Sequence, residues 1–315
     1  MIIPKDYNIK TDRGGNTQQG VHKFDEPYYE FQLRITDYCN YDCEYCHWKY
    51  GHHYNIDDIE NTITSAIDCI DHTNFRIYFH GGEPTTHPKC RDVIKFIFNM
   101  NKSVIVELQT NLSVGHGYIQ ELIDDHKDNK LDINVSYHHK YTKDFKKFID
   151  KIDMIDNAGM LGKVDVMLEH DEESKNDIID NSKQMLTRPY KNKIEFIHSY
   201  IDYRSTTDMY SDFVNEHAMF HEEYEVTYQD GTIKTHDTND LYREGISFEG
   251  WTCSVGKEYI IINGNGDYFM CCANTLEKPI GNILDNKALF KIRANNYTKC
   301  KWSCCKGEFY IPKKK

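Results

Sequence analysis

Short alternating runs and helical repeats follow one another through residues 29–200. In Tyr29–Ile35 (YEFQLRI) apolar and polar residues alternate, which predicts a strand, whereas isoleucines recur every three or four residues through Ile56–Ile70, which predicts a helix. The same two patterns repeat further along. They predict strands at Arg76–Phe79, Val104–Leu108, Asp132–Ser136, Lys163–Leu168 and Ile194–Tyr200, and helices at Cys90–Asn101, Tyr118–Asp125, Phe145–Ala158 and Ser174–Leu186.

Strands that alternate with helices predict parallel βαβ units with right-handed crossovers. Six such strands predict an α/β fold, a partial (β/α)6 TIM-like barrel, with functional groups at the carboxyl ends of the strands. We therefore expect four parts: an irregular N-terminal segment at 1–28, the barrel at 29–203, a connecting or lid segment at 204–250 with a turn at Asp230-Gly231, and a small C-terminal domain at 251–315.

Composition and charge argue against nucleic acid and membranes as partners. The chain has 38 basic and 50 acidic residues, a net charge of −12, and only Lys313, Lys314 and Lys315 form a basic run, so a nucleic-acid partner is not expected. No window approaches 18 consecutive apolar residues, and Met1–Lys10 carries charges where a signal peptide needs an apolar run. We expect no membrane association and a cytoplasmic location.

The distribution of cysteines predicts two metal centres. The chain has 11 cysteines, an odd number that fits a complete set of disulfides poorly. Three lie close together near the start, two are isolated, and six lie in the last fifth of the chain, with none between Cys90 and Cys253. The isolated Cys69 and Cys90 fall in helical patterns and are expected to be small buried residues.

Cys39, Cys43 and Cys46 form a C-x3-C-x2-C run directly after the first predicted strand. Three thiolates would leave one iron of a [4Fe-4S] cluster open for a substrate or cofactor. A structural zinc ion would need a fourth ligand, which His47 could supply. From spacing alone an iron-sulfur cluster is favoured, while zinc or a set of buried thiols remain as alternatives.

This run resembles the signature of the radical S-adenosylmethionine (SAM) superfamily, C-x3-C-x-aromatic-C, with Tyr45 as the aromatic residue. The resemblance implies the partial barrel that the strand pattern also predicts. It further implies that the amino and carboxylate groups of SAM chelate the open iron and that Tyr45 lies near the adenine.

A second motif of this family follows the second predicted strand. Gly81-Gly82-Glu83-Pro84 is similar to the Gly-Gly-Glu-Pro turn that binds the SAM amino group in the family. The residue types suit this role, because glycines permit close approach to the backbone and a carboxylate can pair with an ammonium group. Alone, such a tetrapeptide is more often an ordinary turn.

Two further strand ends resemble SAM contacts of the family. Thr110-Asn111 and Ser136 are similar to a Thr-Asn pair and a serine that contact SAM, and ordinary turn polarity is the alternative explanation. Tyr137-His138-His139 replaces the Asp-Gly that commonly follows this serine. Glu169, at the end of the next strand, is a candidate for contact with the ribose or the substrate.

The C-terminal cysteines resemble the auxiliary-cluster domain of SPASM and twitch enzymes within the same superfamily. Cys253 is followed after 12 residues by Gly266 and after four more by Cys271, and Gly281-Asn282-Ile283 comes next. Tyr259–Asn263 and Tyr268–Cys272 would be the strands of a hairpin with its turn at Asn263–Gly266. The six cysteines fit the shorter twitch form, which has one auxiliary [4Fe-4S] cluster.

The resemblance and the spacing select Cys253, Cys271, Cys300 and Cys304 as ligands of this cluster. Cys272 and Cys305 are alternates, because spacing does not rank adjacent cysteines. A zinc ribbon with four cysteine ligands is the alternative type of site.

The resemblance implies a radical SAM enzyme with two [4Fe-4S] clusters. It would cleave SAM reductively to a 5′-deoxyadenosyl radical, which abstracts hydrogen from a substrate C-H bond, with a flavodoxin or ferredoxin as electron donor. We expect it to modify a peptide or protein by oxidation, cross-linking or epimerisation. The alternatives are a small metabolite such as a sugar or nucleoside as substrate, and a non-catalytic zinc or iron-sulfur protein.

Overall fold

A nine-stranded sheet with helices on one of its faces forms the body of the protein in the computed structural model. The structure describes residues 4–9, 21–46, 51–198, 208–217, 223–236, 241, 244–272, 278–302, 305 and 309–315. The order of strands in the sheet is β13-β12-β11-β2-β3-β4-β5-β6-β7. The strands are β1 (Asp6–Ile9), β2 (Tyr29–Arg34), β3 (Asn74–Phe79), β4 (Ser103–Thr110), β5 (Leu131–Tyr137), β6 (Leu161–Leu168), β7 (Ile194–His198), β8 (Tyr224–Thr227), β9 (Ile233–His236), β10 (Thr252–Cys253), β11 (Tyr259–Asn263), β12 (Asp267–Phe269), β13 (Gly281–Asn282), β14 (Thr298–Lys299) and β15 (Lys313–Lys314).

The described helices alternate with these strands as the sequence predicts. Side chains cap several of their amino ends, since Asn55, Asp144 and Asn286 each accept a hydrogen bond from a backbone amide of the first turn. The α-helices are α1 (Ile56–Cys69), α2 (Cys90–Phe98), α3 (His116–His126), α4 (Phe145–Asn157), α5 (Lys175–Leu186), α6 (Ser211–His217) and α7 (Lys287–Arg293), and short 3-10 helices lie at Pro84–Thr86, Pro189–Lys193 and Asp208–Tyr210.

The predicted fold class is confirmed, because β2 to β7 are parallel neighbours separated by α1 to α5. The boundaries differ by a few residues. The helix predicted to reach Asn101 ends at Phe98, and β4 is longer at both ends than predicted because Ser103 pairs with β3 and Thr110 pairs with β5. The last predicted strand ends at His198, and residues 199–207 lie outside the described part of the chain.

Both faces of the parallel strands are buried, but they differ in chemistry. The outward face carries apolar residues such as Phe31 and Ile77, which pack in one core with the helices. The inward face carries buried polar residues, among them Arg76, Glu107 and Asp132. The alternation of apolar and polar residues along the strands therefore corresponds to a barrel with an apolar exterior and a polar interior.

The N-terminal segment is less irregular than predicted. β1 pairs antiparallel with β8 and, through it, with β9 in a separate three-stranded sheet. Further along, the ring Nδ1 of His22 lies 2.7 Å from a carboxylate oxygen of Asp132, and the His22 carbonyl accepts a hydrogen bond from Arg76 at 2.9 Å. These contacts join residues that are far apart in sequence, so local periodicity does not reveal them.

The same sheet explains part of the segment predicted as a connection or lid. Within 204–250 the structure describes α6, β8 and β9, and the predicted turn at Asp230-Gly231 connects the two strands, with Gly231 at φ +88°. The strands were missed because each has four residues and β9 exposes three of them.

The C-terminal hairpin continues the barrel sheet. β11 and β12 pair antiparallel, as predicted, although the second strand covers Asp267–Phe269 and not Tyr268–Cys272. β11 also pairs in parallel with β2 over five residues, from Tyr259 opposite Glu30 to Asn263 opposite Arg34. Residues of the segment 251–315 thus share a sheet with the barrel, while β10, β14 and β15 form a small sheet of their own.

No helix among the residues described is both long enough and apolar enough to cross a membrane.

We expect Ile262→Ala to destabilise the whole barrel. Ile262 is fully buried on β11 in the core shared with the helices, so removing its side chain should lower the free energy of unfolding by about 2–5 kcal/mol. Denaturation by urea, followed by circular dichroism, measures this value. Ile233→Ala is the matched control, because Ile233 is exposed on β9 and its replacement should change stability by less than about 0.5 kcal/mol. An equally small effect at Ile262 would contradict a shared core.

Candidate cofactor and cluster sites

The first cysteine loop leaves the carboxyl end of β2. The loop is fixed at its start, where the Asp37 amide donates to the His52 carbonyl at 3.0 Å, and at its end, where the Cys46 amide donates to the Cys43 carbonyl at 3.0 Å. Burial raises the pKa of Cys39 to about 11 and that of Cys43 to about 12. Their thiolate forms therefore require a cation nearby, which bound iron would supply.

The Gly81-Gly82 turn packs directly against this loop. The Gly82 amide donates to the Thr36 carbonyl at 3.0 Å, and the Glu83 amide donates to the Tyr38 carbonyl at 2.8 Å. A Cβ atom on Gly82 would overlap the Tyr38 carbonyl, and Gly81 has φ +127°, a conformation that favours glycine. The two glycines are thus required by the close approach of the cysteine loop.

The Glu83 carboxylate joins the ends of β3 and β4. Only 3 % of Glu83 is exposed, and burial raises its pKa. One oxygen accepts hydrogen bonds from the amide and hydroxyl of Thr85, at 3.1 and 2.5 Å, and from the Thr110 hydroxyl at 2.7 Å, while the other accepts from the Asn111 amide at 2.7 Å. Both oxygens accept hydrogen bonds from the protein itself. The pairing of Glu83 with a SAM ammonium group stays a prediction. Pro84 begins the 3-10 helix that follows.

Thr110 and Asn111 lie beside the cysteine loop. Besides the contacts with Glu83, the side-chain amide of Asn111 donates to Asn40 Oδ1 at 3.1 Å and lies 3.9 Å from Cys39 Sγ. The sequence motifs at the ends of β2, β3 and β4 therefore meet in one site, although they are spread over residues 39–111 of the chain.

His138 is a site residue that sequence reasoning did not identify. Its Nδ1 lies 2.6 Å from the Tyr45 hydroxyl and 3.6 Å from Cys43 Sγ, and its ring stacks on that of Tyr45 at 10°. Burial lowers the pKa of His138 to about 4, so the ring is neutral at neutral pH and hydrogen-bonds to the Tyr45 hydroxyl through Nδ1. The available signal was the departure from Asp-Gly after Ser136.

Ser136 and Glu169 lie in different surroundings. The Ser136 hydroxyl accepts a hydrogen bond from Gln109 at 2.6 Å on the inner face of the barrel, where Gln109 also donates to Asp165 at 3.1 Å. Glu169 lies beside the cysteine loop, in a small pocket shared with Cys43 and Tyr45, and burial raises its pKa.

The C-terminal cysteines surround a cavity of about 490 Å³. Cys253 is on β10, Cys271 follows β12, Cys300 follows β14, and Cys305 is the fourth cysteine on the wall among the described residues. Cys304, the predicted fourth ligand, lies outside the described residues. Cys272 is not on this wall and instead interacts electrostatically with Arg34.

A cluster suits this cavity by its size and by the number of thiols on its wall. Cys69 and Cys90 are buried away from it, as expected of small core residues. In the described part of the chain, no three or more His, Cys, Asp or Glu side chains are grouped as ligands of one metal ion. A [4Fe-4S] cluster spreads its thiolate ligands over four irons, so the residues on the wall fit such a group.

The fold of this chain is similar to that of solved structures of anSMEcpe, so the predicted fold is confirmed. Two of the structures similar to this chain are the following. Native anSMEcpe with bound AdoMet and Kp18Cys peptide is 14 % identical, with 85 % of this chain and 81 % of that chain covered and a TM-score of 0.57. The form with bound AdoMet and Cp18Cys peptide is 15 % identical, with 86 % and 81 % covered and a TM-score of 0.56. No family model and no curated protein matches the sequence.

We expect Glu83→Gln to destabilise the metal-free protein by about 1–3 kcal/mol, because the new amide group faces donors that it cannot satisfy. Urea denaturation without iron measures this effect. The control is Glu173→Gln, an exposed position where we expect a change of less than about 0.5 kcal/mol. Equal stability of the two variants would rule out a structural role for the carboxylate.

Proposed function

We propose that this chain is a radical SAM enzyme. The observation that carries the proposal is the meeting of three motifs at the carboxyl ends of β2, β3 and β4: the cysteine loop, the Gly81–Pro84 turn and Asn111. Active sites of barrel enzymes lie at this end of the strands. The fold shared with anSMEcpe, whose structures contain AdoMet, supports the same conclusion.

Cys39, Cys43 and Cys46 would hold the SAM cluster in this enzyme. When bound, the cluster and SAM supply a 5′-deoxyadenosyl radical that takes hydrogen from a substrate C-H bond. The chain's own residues prepare the site. Glu83 fixes the relative position of two strand ends, and His138 holds the Tyr45 hydroxyl and so the orientation of its ring.

The second cysteine site would hold one auxiliary [4Fe-4S] cluster of the twitch type. We assign Cys253, Cys271, Cys300 and Cys305 as its ligands, because these four line one cavity. Cys304, which the sequence selects, lies outside the described residues, and its role stays a prediction. A flavodoxin or ferredoxin would supply electrons to the enzyme.

A peptide or protein is the favoured substrate. Structures of anSMEcpe with Kp18Cys and Cp18Cys peptides share the fold of this chain, which supports a peptide substrate. A small polar metabolite such as a sugar or nucleoside is the second candidate. It is favoured by the buried hydrogen-bonding groups on the inner face of the barrel, where the Tyr78 hydroxyl donates to Gln109 at 2.7 Å and Lys163 pairs with Asp165 at 2.9 Å.

Cys43→Ala should abolish reductive cleavage of SAM, because the first cluster loses one of three ligands. The measurement is release of 5′-deoxyadenosine from SAM with dithionite after anaerobic reconstitution, together with iron content, which should fall from about eight to about four per chain. Cys69→Ala is the control, since Cys69 is buried elsewhere. Full release of 5′-deoxyadenosine by the Cys43 variant would refute the proposed function.

Cys305→Ala should remove the auxiliary cluster and retain the first one. Iron should again fall to about four per chain, but 5′-deoxyadenosine release should persist. Cys272→Ala is the matched control and should keep about eight irons, because Cys272 does not line the cavity. Loss of iron from the Cys272 variant and not from the Cys305 variant would show that the assignment is wrong.

A further inference from the structure

Positive charge in this acidic protein is concentrated in its last 65 residues. Residues 251–315 contain eleven Lys and Arg against five Asp and Glu, a balance of +6 in a chain of net charge −12, so the first 250 residues carry −18. The stretch from Lys287 to Trp302, all of which the structure describes, contains five cations and no carboxylate. The basic residues are dispersed along the sequence, and the fold gathers several of them.

Part of this charge lies on the wall of the C-terminal cysteine cavity. Arg293, Lys299 and Lys301 line its wall, and the two lysines, which flank Cys300 in sequence, are exposed. Lys313 also lines the wall but is buried, and its ammonium group donates to the Ile311 carbonyl at 2.7 Å. Lys299 and Lys301 are thus the lysines of this wall that reach the surface.

Exposed apolar side chains accompany these charges. Ile292 is 62 % exposed and Tyr297 is 48 % exposed, and both line the same cavity. The ammonium group of Lys257 lies 4.8 Å from the centre of the Tyr297 ring, and that of Lys301 lies 4.8 Å from the centre of the Trp302 ring. Aromatic anchors with charged neighbours are typical of surfaces that bind another protein, where charge complementarity selects the partner and accelerates association.

We propose that this surface, formed by Lys257, Ile292, Tyr297, Lys299, Lys301 and Trp302 and here called the basic face, docks an acidic one-electron carrier protein of the ferredoxin or flavodoxin type. The proposal rests on the proposed function, because it takes the cysteine cavity to hold a cluster. Two observations favour this occupant. The basic face is complementary to an acidic carrier while the rest of the chain is strongly acidic, and cysteines that would ligate the cluster line the same cavity as most of its residues.

The test measures binding of an acidic plant-type [2Fe–2S] ferredoxin to the reconstituted enzyme by anaerobic calorimetry. Lys257→Glu/Lys299→Glu should raise Kd at least tenfold at low salt, and raising the salt concentration should weaken binding to the unmodified enzyme. Lys183→Glu/Lys191→Glu changes the charge equally at exposed positions on α5 and the following 3-10 helix, and should change Kd less than twofold. Iron content is measured for every variant.

Tyr297→Ser provides a second variant that reverses no charge and does not flank a cysteine. It should weaken ferredoxin binding about tenfold with its iron retained, as expected for loss of an aromatic anchor. Unchanged Kd in both the Lys257/Lys299 and Tyr297 variants, or equal weakening in the Lys183/Lys191 control, would overturn the proposal. So would tighter binding of a short DNA duplex than of ferredoxin at the same salt concentration, which would assign the face to a nucleic acid.

Failure of the proposed function gives a different result. Release of 5′-deoxyadenosine with dithionite needs no carrier protein, so its absence in an enzyme that binds ferredoxin through the basic face would contradict the radical SAM assignment and support the docking surface. Release of 5′-deoxyadenosine without any ferredoxin binding would overturn the docking surface alone.

Discussion

The buried carboxylate of Glu83 is the interaction on which the first site depends. Four hydrogen bonds reach it from Thr85, Thr110 and Asn111, so one side chain fixes the ends of two neighbouring strands. Asn111 in turn contacts the cysteine loop, because its side-chain amide donates a hydrogen bond to Asn40. A buried carboxylate is unfavourable unless donors surround it, and here the donors are the residues that must be held in place.

The two glycines before Glu83 are also required, because only residues without a side chain fit against the cysteine loop at these positions. Gly82 lets the backbone of the cysteine loop lie directly on the turn, so the position of Cys39 follows from contacts of backbone with backbone. The geometry of backbone contacts varies less than the geometry of contacts made by long side chains. The site is thus built from two rigid turns held together by one carboxylate, and Tyr45 and His138 close it from the side of β5.

Much of this arrangement was predictable from the sequence, because it depends on local patterns. The period of isoleucines in α1 and the alternation in β2 gave the correct elements, and the three short motifs fall at strand ends that a parallel sheet brings together. What sequence reasoning missed depends on contacts between distant residues. β1 pairs with β8, which lies more than 200 residues later in the chain. His138 belongs to the site because it contacts Tyr45 and Cys43. The choice between adjacent cysteines requires the direction of each side chain, which spacing does not contain.

The parallel pairing of β11 with β2 has a consequence for how this protein is divided. β2 leads into the first cysteine loop, and β11 begins the hairpin that leads to Cys271, so the two cysteine sites are attached to adjacent strands of one sheet. Without β11, the amides and carbonyls along one side of β2 would be left unpaired at an open edge, a template for aggregation. The C-terminal segment therefore also acts as the edge protection of the barrel, and it is not a module that can be exchanged without rebuilding that edge.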